Sequence, residues 1–294
     1  MSFEVGDGGT VGVVVVNQLV PTVRTRTDAR LSYFRTAGVV SGLAGAYRAD
    51  LVVLPEYGVH GIGTGTGERP ALAFPEEALD VLGPACAAAG VWLAVSVSAG
   101  ATRDDPSHRM VLLDDRGTVV AGHVSGPAGG DAARRPRIVD GPGGLRTALA
   151  FADGPRPALT DPGLREAELV ILCWTAPGAG PSRIVQAARG LAWTNGCYVA
   201  SANAAGTVGS RQWVGHSSLV GHDGRVLGLC GGIDYEVQHA EFSVPGLRAA
   251  RSRRADAGRA VADSVRRGSL SRLAAARGSH TPGSIPGKAD TYVR

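Results

Sequence analysis

The chain has 294 residues, 44% of them hydrophobic and 19% charged, which suffices to bury a large core in one α/β domain. Its formal charge of +4 admits a polyanion partner, but the arginines are dispersed except at Arg134 to Arg137 and Arg248 to Arg267. A solvated helix face accounts for the second run better than nucleic-acid binding does. No stretch approaches about 18 consecutive apolar residues, and the start MSFEVGDGG lacks a basic, apolar and cleavage-site succession, so a soluble cytoplasmic protein is expected, with no membrane partner.

Cys86, Cys173, Cys197 and Cys230 are far apart, without CxxC spacing and beside apolar stretches, and read as buried reduced thiols. Of thirty basic residues only Lys288 is a lysine, which excludes any mechanism that needs a lysine in the core.

In chain order, Val11 to Val16 is a short β-branched run and reads as a buried strand. Residues 26–48 read as helix. The strand in DLVVLPEYG stops at Pro55, which sets Glu56 at a strand's C-terminal mouth. Pro75 to Ala89 reads as helix, Val91 to Val97 as strand, and Met110 to Leu113 with Val119 to Ala121 as a hairpin about Asp-Asp-Arg-Gly. Gly122 to Gly144, rich in Gly, Pro, Ala and Arg, reads as a long irregular loop.

Strand (Thr147 to Phe151), weak helix (Pro157 to Glu166), strand (Glu168 to Cys173), helix (Ser182 to Asn195) and strand (Cys197 to Ala202) then alternate. Ser217 to Leu229 reads as a hairpin turning on Asp-Gly, and Glu236 to Val244 as a further strand. Residues 246–276 form an Arg/Ala-rich helix or two. A single domain over residues 1–276 is expected, with a flexible tail over 277–294. Mixed strands interleaved with helices point to a layered α/β sandwich.

The stretches LVVLPEYGVHGI, LAWTNGCYVASANAAG and GHSSLVGHDGRVLGLCG, in that order, resemble the aliphatic amidase and formamidase branch of the nitrilase (carbon-nitrogen hydrolase) superfamily. The likeness runs from GTVGVVVVNQLVP near residue 9 to RRGSLSRL near residue 273. It implies a four-layer α-β-β-α sandwich assembled through a helical face, and the short C-terminal end favours a homodimer over larger homo-oligomers. Family members hydrolyse small amides or nitriles with a glutamate base, a lysine that stabilises the oxyanion, and a cysteine that forms a thioester.

By that resemblance Glu56 is the glutamate, with Tyr57 beside it lining the pocket. In GTVVAGHVSG, Ser125 takes the lysine position; in ALAFADG, Phe151 takes the cysteine position and Asp153 and Gly154 are kept. A second glutamate of the family has only Asp131 as a counterpart. Neither a serine hydroxyl nor a phenyl ring can do the original work, and losing one oxyanion donor alone costs about 10²- to 10³-fold in rate.

Cys173 and Trp174, in LVILCWTAP, lie one strand away and are expected to line the pocket, Cys173 as a packing residue rather than a surrogate nucleophile. Cys197 matches a structural family position. His60 and His216 fit satisfied core or rim residues better than site groups. No His, Cys and carboxylate spacing fits a metal, and no glycine motif fits a phosphate, so no cofactor is expected. A small-molecule ligand or substrate is the expected partner.

Three functions remain open. One is non-hydrolytic acid/base chemistry at Glu56, such as a step in a biosynthesis; another is a pseudoenzyme that binds a small ligand or an oligomer partner. The last is residual amide hydrolysis through Cys173 or a Glu56-activated water.

Overall fold

The computed structural model describes residues 9–19, 21–61, 74–98, 108–125, 136–151, 162–174, 180–208, 211–232 and 234–278. The chain divides into two compact units, Met1–Leu247 and Arg248–Arg294. The first unit carries both β-sheets.

In the first sheet, β1 (Thr10–Val16), β3 (Leu51–Val53) and β4 (Trp92–Ser98) run parallel. The antiparallel strands β5 (His108–Leu113) and β6 (Val119–Ser125) extend one edge, and β14 (Val237–Ser243) pairs antiparallel with β1 at the other. The second sheet is built likewise. Parallel β8 (Arg146–Phe151), β9 (Leu169–Trp174) and β10 (Tyr198–Val208) are flanked by antiparallel β7 (Ile138–Asp140) on one side and by β12 (Ser218–Val220) and β13 (Val226–Leu229) on the other. Two short strands, β2 (Gln18–Leu19) and β11 (Arg211–Val214), also pair with β10.

The side-chain period of two decides which layer each residue enters. In β1, Val11, Val13 and Val15 join the core between the sheets, whereas Val14 and Val16 face α1 (Arg26–Tyr47) and α2 (Pro75–Ala89). The opposite face of the second sheet, Val170, Leu172 and Val199, packs on Ile184, Ala188 and Leu191 of α3 (Pro181–Asn195). The layers are therefore helix, sheet, sheet, helix.

Local chemistry sets the helix ends. Thr25 caps α1 and Asp28 reaches back to it, a capping box, while Ala29, Ser32, Tyr33, Thr36, Val40 and Ala44 bury one face. Pro75 and Pro181 open α2 and α3, and Gly90 and Gly196, both left-handed, close them.

Three expectations change. Strand β6 runs on to Ser125, and Ile138–Asp140 pairs with β8, so residues 126–137 lie between the two ladders where a longer loop, Gly122 to Gly144, was expected. Backbone pairing there overrides a composition poor in apolar residues. Of the weak helix, Pro162–Glu166 forms a 3-10 turn; the residues before it lie outside the described ones. β10 extends to Val208, because β2 and β11 supply partners for its far half.

The second unit contains most of α4 (Val244–Gly278), in which residues 252–267 are exposed. Asp256 and Arg259 pair on its surface. Residues after 278, in the expected tail, lie outside the described ones.

Candidate active site

Leu54 and Pro55 follow β3 and the chain turns through Glu56 to His60. Glu56 is 1% exposed. Several bonds hold the turn: Gly58 N–H donates to the Pro55 carbonyl (3.2 Å), Gln18 Nε2 to the Gly58 carbonyl (2.8 Å), and Ser32 Oγ of α1 to the Val59 carbonyl (2.5 Å). Gly61, at φ +71°, closes it, where a Cβ would lie 2.1 Å from the Pro21 carbonyl oxygen. Tyr57 is left-handed at φ 58°, a conformation costly for an aromatic residue and tolerated where surrounding contacts enforce it. Tyr57 packs on Ala204 and Trp213 and meets the His60 ring edge-on at 5.5 Å.

From the second sheet, Phe151 ends β8 and is the register partner of Cys173, the last residue but one of β9. Both belong to the core between the sheets. The Cys173 thiol donates to the Leu54 carbonyl at 3.2 Å and lies 3.6 Å from Met110 Sδ, which brings this strand end against the segment leading to Glu56. The Phe151 ring sits 5.8 Å from the His123 imidazole, tilted by 35°.

Ser125 and Trp174 are placed by their backbones alone: Ser125 ends β6 opposite His108, and Trp174 ends β9 opposite Asn203. Asp131, Asp153 and Gly154 lie outside the described residues. His60 is buried in the Glu56 turn. His216 is held by its own neighbours, with Nδ1 2.6 Å from the Val214 carbonyl oxygen.

The two sheets are also joined by a polar knot. Asn17 Nδ2 donates to the Gly231 carbonyl (2.8 Å), Ser217 N–H to Asn17 Oδ1 (3.0 Å), Ser217 Oγ to the Val16 carbonyl (3.1 Å) and Asn203 N–H to Ser217 Oγ (2.9 Å). Because the Asn17 and Ser217 side chains are buried, these partners are needed to offset lost hydration.

All four cysteines are free and buried, and burial pushes the Cys86 and Cys230 thiols up to about 12. Among the described residues no cluster of His, Cys, Asp and Glu could hold a metal, and no helix is long and apolar enough to cross a membrane.

Sequence reasoning missed His123, Ser96 and Trp213. His123 had a signal, standing two residues before Ser125 on one strand. Ser96 had another: WLAVSVS alternates small Ala94 and Ser96 with bulky Leu93, Val95 and Val97, which marks two unlike faces.

Comparison with solved structures decides the fold. An amidase from Nesterenkonia sp. superposes with a TM-score of 0.65 at 20% identity, over 86% of this chain and 97% of that one. The fold is the αββα sandwich of nitrilase-superfamily amidases. A double mutant of the amidase from Nesterenkonia sp. AN1, in complex with acrylamide, matches this amidase-type sandwich at a TM-score of 0.63 and 18% identity, over 88% of this chain and 99% of that one. A single mutant of that enzyme, with the acetamide moiety of fluoroacetamide added at its active-site cysteine, gives the same values. The carbon-nitrogen hydrolase family profile matches residues 158–252, which carry β9, α3, β10 and the strands that follow in the sandwich.

Proposed function

We propose that this amidase-type sandwich has exchanged thioester hydrolysis for acid/base chemistry on a small molecule, with Glu56 as the proton-transfer group. The observation that carries the reading is the burial of the Glu56 carboxylate, 1% exposed at the end of β3, in a turn strained at Tyr57. Burying a carboxylate and holding an aromatic residue left-handed both cost free energy, and such costs persist where function requires them. By the sequence resemblance, Phe151, which has no ionisable group, stands at the place of the family nucleophile and Ser125 at that of the lysine.

The reading is tested by incubating the protein in D2O with small amides, carboxylic acids and ketones and following deuterium uptake at carbon by NMR. Uptake above buffer that falls by about 100-fold or more in Glu56→Gln is expected, within the usual range for a general base. Uptake at the buffer rate, or equal uptake in the variant, rejects it.

A second reading, a non-catalytic small-ligand binder, draws on the Phe151 ring, which is 5% exposed and set against His123. Saturable binding by calorimetry with no uptake or turnover of the bound compound would favour it. Residual amide hydrolysis ranks below both, because Cys173 is fully buried and hydrogen-bonded to Leu54.

A further inference from the structure

Strand β4 places Leu93, Val95 and Val97 against the helices and Ala94 in the core between the sheets. Alternation puts Ser96 on the Ala94 face. Ser96 is fully buried, and its hydroxyl has no hydrogen-bond partner in the structure. A buried hydroxyl in that condition is an exception to be explained, and a ligand oxygen is the partner its position invites.

The position is specific. Ser96 pairs in register with Met110 of β5, and Met110 pairs with His123 of β6. These three make one row across the sheet, on the face shared by Met110 and Ala121 in the inter-sheet core. Opposite the row stand Cys173, in contact with Met110, and Phe151, against the His123 ring. On the other side of Ser96 lies β3: Leu54 N–H donates to the Ala94 carbonyl at 3.0 Å, so Glu56 and Ser96 each follow that bond by two residues.

We propose that Ser96 and His123 are the oxygen-binding half of the Glu56 site, and that the substrate is a small carbonyl compound with a C–H next to its carbonyl. This rests on the Glu56 reading above. The Ser96 hydroxyl donates a hydrogen bond to the carbonyl oxygen. Glu56 carboxylate takes the proton from the adjoining carbon, breaking C–H and forming O–H, while the electron pair moves into the new C=C bond. His123, as imidazolium, gives its proton to the oxygen, which leaves an enol and neutral imidazole. Glu56 then gives a proton back to the same carbon while the enol O–H returns its proton to His123, which restores the carbonyl; the net change is hydrogen exchange at that carbon, or inversion where it is a stereocentre, with no oxidant, water or bond to nitrogen consumed. Histidine suits the role because it changes charge near neutral pH. Among the described residues, the titratable groups on elements packed against β6 and the site are Glu56, Tyr57 and His60 after β3, His108 and Arg109 on β5, Arg146 on β8 and Cys173 on β9.

The test measures deuterium uptake from D2O into acetone, pyruvate and acetoacetamide across pH, for the whole chain and for Glu56→Gln, His123→Gln and Ser96→Ala. A bell-shaped profile is expected. Glu56→Gln removes its acid limb, and His123→Gln lowers the rate about 100-fold and removes its alkaline limb. Ser96→Ala raises KM about tenfold with kcat within threefold, as for a binding contact. Uptake that needs Glu56 but keeps its rate and alkaline limb in His123→Gln overturns the inference and leaves the Glu56 reading standing. Uptake that needs His123 and not Glu56 overturns the Glu56 reading, and no uptake with any probe overturns both. Should His123→Gln not fold, the His123 imidazole signal of the unaltered protein must move on saturation with pyruvate; a signal that stays in place overturns the inference.

Discussion

The Cys173 sulfur lies 3.2 Å from the carbonyl oxygen of Leu54, a contact between the two sheets made two residues before Glu56. A thiol so enclosed is a packing group and a weak donor. Iodoacetamide is therefore expected to leave Cys173 unmodified in the folded protein and to label it only after denaturation, as mass spectrometry of its peptide reports. Stoichiometric labelling of the native chain would contradict this and revive Cys173 as a nucleophile.

Phe151 gives a second expectation. Its ring belongs to the inter-sheet core, and truncating a buried phenylalanine to alanine typically costs about 3–5 kcal/mol through lost transfer energy and the cavity left behind. Phe151→Ala should lower the urea midpoint accordingly, without a change in slope. A loss under about 1 kcal/mol would show that the ring does not hold the sheets together.

The alignment of Ser125 and Phe151 with lysine and cysteine can be examined by reversal. The double variant Ser125→Lys with Phe151→Cys is expected to release ammonia from small aliphatic amides faster than the unaltered chain, since it puts a cation and a thiol at the two positions the resemblance assigns to them. A folded double variant that neither releases ammonia nor reacts with a thiol reagent would mean that these positions do not face Glu56.

Alkaline stability follows from the cysteines. Burial raises the Cys86 and Cys230 thiols from 9.0 to about 12, and raises Tyr33 and Tyr198 above their ordinary 10.0. Between about pH 9 and 12 the folded chain thus binds more protons than the unfolded one, and stability is full below that window and falls as pH climbs through it. Urea midpoints at pH 8, 9 and 10 should decline in that order, and Cys86→Ala should flatten the decline.

Gly61 tests the turn itself. With φ +71° and the Pro21 carbonyl at 2.1 Å from a would-be Cβ, Gly61→Ala must shift backbone rather than side chain. A loss of more than about 1 kcal/mol is expected from the left-handed conformation, together with weaker action at Glu56. An unchanged urea midpoint would mean that the turn has another accessible form.

How much of this could be read from residues alone differs between fold and site. The sequence determined the elements whose signals are local. Val11 to Val16 could only be a buried strand, and Pro55 had to stop regular pairing before Glu56. It determined as well that Lys288 is the one lysine of the chain, since residue identity needs no coordinates. What only the tertiary structure decided are relations between segments far apart in the chain. Ser96, Met110 and His123 form a row because two antiparallel ladders fix their register, and no local pattern encodes a register across 27 residues. Trp213 meets Tyr57, and Cys173 meets Leu54, because two separate sheets stack, and side-chain contact across a sandwich depends on the packing of both faces at once.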